Sequence, residues 1–203
     1  MFISSLKLCG LRRILMSLAG KTILITGASR GIGQAMAYRF AQDHANLVLV
    51  GKTVEPHPKF GGSVHETAAG VEERGGRPLA LPCDVRDEKQ IENVVQKAID
   101  RFGGIDIVIN NAGAIALSSA EQVTTKHYDL MMDINVRGAF LCAQKSLPHL
   151  KKSKEPHVIF LAPPLNLKSK WFKKHSAYTV SKYAMSMLSY GLSQEWADHK
   201  IHV

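Results

Sequence analysis

The sequence predicts an α/β fold in which a doubly wound parallel sheet lies between two layers of helices, a three-layer α/β/α arrangement. Three observations predict it. Short apolar segments alternate along the chain with longer segments of helical periodicity, as in repeated strand–helix units. Each short segment is an almost continuous apolar run, which is expected for strands covered by helices on both faces. A glycine-rich turn follows the first run and opens the first helical segment.

The predicted elements follow in a regular order. The strands cover residues 22–25, 46–50, 79–83, 105–109 and 157–161, and a sixth strand begins at residues 201–203. The helices cover residues 34–40, 64–74, 88–102, 127–150 and 176–198. Asp87 is placed to cap the third helix. The glycine pairs 75–76 and 103–104 are placed to end the second and third helices.

The two ends of the chain raise separate questions. Residues 18–203 form one predicted domain, and residues 1–17 form an amino-terminal extension. The extension contains Lys7, Arg12 and Arg13 and no acidic residue, a composition that suits a mitochondrial targeting segment. A disordered tail, or a natural start at Met16, is the alternative. The chain ends at Val203, where the sixth strand begins, so we expect the fold to be truncated there.

Composition excludes several classes of protein. No apolar run approaches the ~18 residues that a membrane span requires. Cys9, Cys83 and Cys142 are far apart, so we expect no metal site and no redox pair, and a reducing compartment. The formal charge is +9, but neither basic region lies on a recognisable nucleic-acid-binding module, so nucleic acid is not an expected partner. A solvated basic surface, or attraction of a phosphorylated cofactor or anionic substrate, explains the charge instead.

The glycine-rich turn predicts a dinucleotide site. Gly27 supplies a tight turn, Gly31 lets backbone N–H groups approach a pyrophosphate, and Gly33 lets the helix pack closely on the strand. The positive end of the helix then faces the phosphates. A glycine-rich loop without a ligand is the alternative. The predicted cofactor-binding residues of the turn are Gly27, Ala28, Ser29, Arg30, Gly31, Ile32 and Gly33.

Tyr178 and Lys182 are four residues apart, so they share one face of a predicted helix. A free tyrosine has a pKa of about 10 and is a poor proton donor or acceptor at neutral pH. A neighbouring ammonium group favours the phenolate. Such a phenol can exchange a proton with a carbonyl or alcohol oxygen while a hydride moves. Without the glycine-rich turn, a surface or core tyrosine would be the better interpretation.

Four motifs follow one another along the chain: Thr26-Gly27-x-x-x-Gly31-x-Gly33, Asn110-Asn111-Ala112-Gly113, Asn135-Val136-Arg137-Gly138 and Tyr178-x-x-x-Lys182. Together, in this order, they resemble the motifs of the short-chain dehydrogenase/reductase family. The resemblance extends over residues 18–203. It implies a Rossmann-like fold, an oxidoreductase activity on a small molecule and, for a full-length form, a homo-oligomer.

The resemblance also implies a role for the catalytic residues. Tyr178 would be the proton donor or acceptor. Lys182 would hold the nicotinamide ribose and favour the phenolate. Asn135 would hold a water that links Lys182 to solvent, and an asparagine that interrupts a helix through a backbone hydrogen bond is its alternative.

Further cofactor contacts are implied beside these. Asn111, Ala112 and Gly113 would pass beneath the cofactor, although the asparagines of this motif can instead brace the sheet. Asp84 would hydrogen-bond the adenine, with a helix cap or turn as its alternative. An NAD site places an acidic residue near the end of the second strand. Lys52 stands there instead and Arg30 lies in the turn, so two cations suit a 2′-phosphate and predict NADP(H).

One position departs from the family pattern. Members carry a serine at the end of the fifth strand that hydrogen-bonds the substrate oxygen, whereas Ala162 and Pro163 have no hydroxyl. Ser169 and Ser176 are candidate substitutes. Loss of one positioned hydrogen-bond donor lowers the turnover number of an enzyme by ~10²–10³-fold. We therefore expect either an NADP-dependent oxidoreductase or, as the alternative, a catalytically silent NADP-binding protein that acts through partners.

The segment before Tyr178 bears on the substrate. Trp171 and Phe172 are suited to an apolar chain, and Lys173 and Lys174 to an anionic head, so we expect a lipid-like substrate such as a fatty acyl or steroid-like compound. Two aromatic side chains that anchor a solvated loop are the alternative. We expect a mitochondrial or peroxisomal location, with the cytoplasm as the alternative.

Overall fold

The structure, a computed structural model, describes residues 18–56, 58–59 and 61–203. The strands are β1 (Thr22–Thr26), β2 (Asn46–Gly51), β3 (Arg77–Pro82), β4 (Ile107–Asn110) and β5 (His157–Phe160). The helices are α1 (Gly31–Ala41), α2 (Val64–Glu72), α3 (Glu88–Phe102), α4 (Thr125–Met132), α5 (Ala139–Leu150) and α6 (Ser176–Glu195). A π-helical segment, Asp133–Gly138, joins α4 to α5. The predicted extension, residues 1–17, lies outside the described residues.

The sheet is parallel throughout and has the order β3-β2-β1-β4-β5. This confirms the predicted doubly wound α/β class. The strand order reverses between β1 and β4, and the crevice at the carboxyl ends of such strands is where doubly wound sheets bind ligands. The predicted sixth strand is represented by one parallel bridge between His202 and His157 of β5.

Helices cover both faces of the sheet, which explains the continuous apolar runs. In β1, the buried Ile23 and Ile25 belong to one apolar cluster with Ala37 of α1. The intervening Leu24 belongs to a second cluster with Ile91 of α3. Successive side chains of a strand point to opposite faces, so every residue of β1 is buried. None of the helices in the described ranges is both long and apolar enough to cross a lipid bilayer.

Several predicted boundaries are wrong by two residues or more; strand β3, for example, begins at Arg77 rather than at residue 79. Residues 127–150 form two helices and a π-helical segment, because the segment turns Asn135 inward to hydrogen-bond the backbone of Ala114. Helix α6 ends at Glu195 and is followed by the short 3₁₀ turn Ala197–His199. Strand β4 begins at Ile107 rather than at residue 105, since its pairing with β1 starts there.

Candidate active site

The glycine-rich turn lies at the carboxyl end of β1 and is fastened to the end of β4. Thr26 Oγ1 accepts the backbone N–H groups of Asn111 and Ala112 at 3.1 and 3.0 Å. Asn111 Nδ2 donates to the carbonyl oxygens of Thr26 and Gly27 at 2.9 and 3.0 Å. Asn111 therefore braces the turn as well as lining the adjoining cavity.

The glycines of the turn have the conformation and spacing that a phosphate site requires. Gly27 and Gly31 have φ angles of 67° and 61°, in the left-handed region that favours glycine. A Cβ at Gly33 would lie 2.4 Å from the Gly27 carbonyl oxygen, so α1 begins in direct contact with the turn. The first turn of α1 has neither a side-chain cap nor an acidic residue. Its N–H groups are thus available to an anion.

Lys52, one of the two predicted cofactor-selectivity residues, meets Asp84 where β2 and β3 end. Lys52 Nζ lies 3.1 Å from Asp84 Oδ2. Arg86 donates to both oxygens of Asp84 through Nε at 3.0 Å, and through Nη2 at 2.6 Å. Hydrogen bonds from Arg86 hold the pKa of the Asp84 carboxyl well below its usual range, and Lys52 adds to the effect. Arg30 lies nearer the loop after β2 and donates to the Gly61 carbonyl at 3.2 Å.

Sequence reasoning missed Arg86. Its position two residues after Asp84 was the available signal, because such spacing allows a side chain to return to the carboxylate within one turn. The consequence is that the Asp84 carboxylate is engaged by two cations in the structure.

Tyr178, Lys182 and Asn135 line one cavity of about 680 Å³ together with Asn111 and Gly113. Lys182 is partly buried, and its Nζ donates to the Leu161 carbonyl at 2.5 Å. Burial lowers the pKa of the Lys182 ammonium. The Tyr178 hydroxyl has no hydrogen-bond partner among the described residues. The helical spacing therefore brings the Tyr178 phenol and the Lys182 ammonium to the lining of one cavity.

Asn135 is fully buried and uses its whole side chain. Its Oδ1 accepts the Ala114 N–H at 2.7 Å, and its Nδ2 donates to the Ala114 carbonyl and to Ser181 Oγ, both at 3.0 Å. Ser181 Oγ in turn donates to the Tyr178 carbonyl at 2.8 Å. Asn135 thus ties the chain after β4 to the part of α6 that carries Tyr178. The water-holding role remains a prediction.

One face of α6 fastens the loop between β5 and α6, a feature that sequence reasoning missed. Four side chains, at spacing i, i+3, i+4 and i+7, donate to backbone carbonyls of that loop. The pairs are Thr179 to Trp171 at 2.9 Å, Lys182 to Leu161, Tyr183 to Asn166 at 2.6 Å and Ser186 to Pro163 at 3.0 Å. The signal in the sequence was a run of hydroxyl and amine side chains at the period of one helix face.

The loop supplies most of the apolar wall of the cavity. Leu161, Ala162, Pro163, Pro164 and Trp171 line it. Ile32 and Ile115 line the cavity as well. The wall contains no serine: within the described residues neither Ser169 nor Ser176 lines the cavity, and Ser176 Oγ donates to the Phe172 carbonyl at 3.3 Å.

The two aromatic residues of the loop have different surroundings. Trp171 lines the cavity, as expected for a substrate contact. Phe172 instead packs edge-on against Tyr183, with the ring centroids 5.3 Å apart. Phe172 therefore anchors the loop, which was the alternative interpretation.

The comparisons with known proteins decide the family. The family model for short chain dehydrogenases matches residues 21–203. The chain belongs to the short-chain dehydrogenase family. This confirms the resemblance inferred from the four motifs and makes the chain an oxidoreductase by family.

Relatives within the short-chain dehydrogenase family are similar over most of this chain. Hydroxysteroid dehydrogenase-like protein 2 of Danio rerio is 54% identical over 88% of the chain, and the human protein of that name is 52% identical over the same share. The chain spans 43% of the length of each. A solved short chain dehydrogenase from Mycobacterium thermoresistibile superimposes with a TM-score of 0.88 at 44% identity, over 91% of this chain and 66% of that one.

Two further short-chain dehydrogenase structures contain a bound dinucleotide. One from Mycobacterium paratuberculosis is bound to NAD and matches with a TM-score of 0.80 at 28% identity, over 92% of this chain and 71% of that one. A metagenomic short-chain oxidoreductase in complex with NADP has the same fold, with a TM-score of 0.80 at 24% identity over 91% and 80% of the two chains. The family therefore accommodates both cofactors.

Proposed function

We propose that this chain is the nucleotide-binding and catalytic domain of an NADP-dependent oxidoreductase that interconverts a carbonyl and a secondary alcohol on a lipid-like substrate. One observation carries the proposal. Tyr178 and Lys182 line a single cavity with the Asn111–Gly113 segment, which is fastened to the glycine-rich turn. The rest of the lining is mostly apolar, and it suits a hydrocarbon substrate better than a sugar or a charged metabolite.

The residues present fit a dinucleotide. The uncapped start of α1 offers N–H groups to phosphates, and Gly33 packs against the Gly27 carbonyl so closely that no side chain fits at that position. The residues that would hold the cofactor are Gly27, Ala28, Ser29, Arg30, Gly31, Ile32, Gly33, Lys52, Asp84, Asn111, Ala112, Gly113, Tyr178 and Lys182. When bound, the nicotinamide supplies or accepts the hydride.

The protein's own part in the reaction is the transfer of one proton. The Tyr178 hydroxyl donates it to the carbonyl oxygen during reduction and accepts it from the alcohol during oxidation. Lys182 favours the phenolate electrostatically. Because burial lowers the pKa of the Lys182 ammonium, that group also releases a proton more readily than an exposed lysine.

Tyr178 is one hydrogen-bond donor to the substrate oxygen, and the family serine that would be the other is replaced by Ala162. In this chain Asn166 takes the place of that serine. Asn166 lines the cavity, and its Nδ2 has no hydrogen-bond partner among the described residues. The residue is held in place because Tyr183 binds its backbone and its Oδ1 accepts the Lys168 N–H at 3.1 Å. We assign Asn166 Nδ2 to the substrate oxygen.

A rescue experiment tests the role of Asn166. Asn166→Ala should lower kcat about a hundredfold, as removal of one oxyanion donor does, and leave cofactor affinity unchanged. Adding Ala162→Ser to that variant should restore a donor at the end of β5 and recover turnover. Failure of the serine to recover any turnover would contradict the assignment.

The preference for NADP rests on charge. Lys52 and Arg30 are cations near the expected ribose, and the nearest carboxylate, Asp84, is already held by Arg86. Lys52 can therefore turn to a 2′-phosphate while Asp84 keeps a partner. NADPH should bind at least tenfold more tightly than NADH, since a charge-assisted hydrogen bond contributes about 1.5–3 kcal/mol.

Paired titrations of the two cofactors measure that preference. Lys52→Glu should remove it, and Lys97→Glu, the same charge reversal on the exposed side of α3, should preserve it. Equal affinity of the unmodified protein for the two cofactors would refute the assignment.

The alternative function is that of a catalytically silent NADP-binding protein, and the alanine at position 162 favours it. Measurement of substrate turnover decides between the two functions. A panel of fatty acyl and steroid-like ketones is offered with NADPH to the longest natural form. Tyr178→Phe should lower kcat by about 10²–10⁴, and Tyr190→Phe, on an exposed part of α6, should not. Tight NADPH binding without turnover of any substrate would support the silent protein.

Two properties of a full-length form are also proposed. It self-associates, which sedimentation of that form tests. It resides in the mitochondrion or the peroxisome, with the cytoplasm as the alternative, and a fluorescent fusion with and without residues 1–17 distinguishes the first location from the other two.

A further inference from the structure

The loop that lines the cavity lies in a long stretch of the chain that contains basic residues and no acidic one. No aspartate or glutamate occurs between Glu155 and Glu195. Within that stretch the lysines cluster at positions 168, 170, 173 and 174, and all four are exposed. We refer to residues 163–174 as the basic loop. The basic loop contains no acidic residue that could pair with these lysines.

Large apolar side chains are exposed on the same loop. Leu167 is 83% exposed, Leu165 is 53% exposed and Trp171 is 52% exposed. Single exposed apolar residues are common on protein surfaces, whereas a large apolar patch marks a binding surface. Here three such residues lie within seven positions of one loop. Lys170 Nζ lies 5.0 Å from the centre of the Trp171 ring, so charge and apolar surface are directly adjacent.

The backbone of the basic loop is held in this arrangement. Side chains of α6 bind the carbonyls of Pro163, Asn166 and Trp171 at 3.0, 2.6 and 2.9 Å. The apolar side chains are thus presented to solvent on a fastened scaffold. Pro163, Pro164 and Trp171 line the cavity as well, so one loop forms both its wall and this outer surface.

We propose that the basic loop docks on an anionic lipid bilayer, with Leu165, Leu167 and Trp171 entering the boundary between headgroups and acyl chains. The lysines meet the phosphate and carboxylate groups of the headgroups while their stems cover apolar surface. Interleaved aromatic, aliphatic and basic side chains are the composition of segments that lie in this boundary. Exposed leucines offer nothing to a nucleic acid. Docking places the mouth of the cavity at the membrane, where a lipid substrate enters without crossing water.

Tryptophan fluorescence tests the docking directly, independently of catalysis. The chain has two tryptophans, and Trp196 is buried in the core, so a vesicle-induced change reports Trp171. Vesicles of phosphatidylcholine and phosphatidylserine should shift the emission to shorter wavelength, and brominated acyl chains should quench it. Trp171→Phe should abolish the signal and keep the binding seen by flotation.

Charge variants test the role of the lysines. Lys173→Gln/Lys174→Gln should weaken vesicle partitioning about thirtyfold, since each lysine near such a surface contributes about fivefold. Lys151→Gln/Lys152→Gln removes the same charge after α5 and should leave partitioning unchanged. Leu167→Ser should weaken it at least tenfold on the same vesicles.

Three results would overturn the proposal. The first is unchanged Trp171 emission on anionic vesicles. The second is binding that Arg12→Gln/Arg13→Gln abolishes and the basic-loop variants do not, which would assign it to the amino-terminal residues. The third is an emission shift that depends on protein concentration without vesicles, which would make the surface an interface between copies of the chain. Each outcome leaves the oxidoreductase proposal standing, because none measures turnover.

Discussion

Replacement of Gly33 by alanine tests the close contact on which the nucleotide site is built. The added Cβ would lie 2.4 Å from the Gly27 carbonyl oxygen and 2.6 Å from Asn111 Nδ2. An ordinary contact begins at 3.4 Å, so the start of α1 and the turn must separate by about 1 Å. Neither neighbour moves freely, because Asn111 Nδ2 is hydrogen-bonded to Gly27 and to Thr26.

The expected cost follows from these contacts. Forcing a methyl group into a packed contact costs about 1–3 kcal/mol. Loss of the Asn111–Gly27 hydrogen bond adds about 1 kcal/mol. The better helix propensity of alanine returns at most about 1 kcal/mol. Gly33→Ala should therefore lower the free energy of unfolding by about 1–4 kcal/mol, and it should weaken dinucleotide binding.

Two glycines of the same chain serve as matched controls. Gly31 has a φ angle of 61° and open space around its Cβ position, so Gly31→Ala should cost only about 1 kcal/mol of backbone strain. Gly191 lies within α6, with no atom close to its Cβ position, so Gly191→Ala should stabilise by about 0.5–1 kcal/mol.

Urea unfolding followed by circular dichroism, with dinucleotide titration of each folded variant, measures the series. The expected order of stability is Gly191→Ala, the unmodified protein, Gly31→Ala and then Gly33→Ala. A Gly33→Ala variant as stable as the unmodified protein would refute the reasoning from the contact.

Three further predictions concern buried or charged groups. Asn135→Ala should lower the free energy of unfolding by about 2–4 kcal/mol in urea, because the Ala114 N–H and carbonyl groups lose their partner in a buried site. Asp84→Asn should lower the melting temperature at neutral pH, and the deficit should shrink as the pH falls below about 4, because Arg86 holds the folded-state pKa of Asp84 below its unfolded value. Since burial lowers the pKa of Lys182, the folded state binds that proton less tightly, and stability should rise as the pH approaches about 10. Lys182→Met should remove that rise in urea titrations at alkaline pH up to about 10, and a persistent rise would assign it to other groups.

Local signals predicted the elements well. Asp87 caps α3, accepting the N–H groups of Lys89 and Gln90 at 2.9 and 3.2 Å, and Gly103 ends that helix with a φ angle of 83°. Both features depend on residues within one turn, so the sequence contains all the information they need. The prediction of one helix over residues 127–150 was wrong because the deciding contact is not local. The interruption of that helix depends on a bond from Asn135 to Ala114, 21 residues earlier.

The sequence by itself determined the parallel α/β class, the glycine-rich turn and the shared helix face of Tyr178 and Lys182. Each of these follows from periodicity or from spacing within a few residues. Only the tertiary structure decided that Lys52 at the end of β2 meets Asp84 after β3, and that one face of α6 fastens the loop between β5 and α6. Those arrangements join side chains to groups on other elements. Which groups meet depends on how the helices pack on the sheet, and no local pattern encodes that packing.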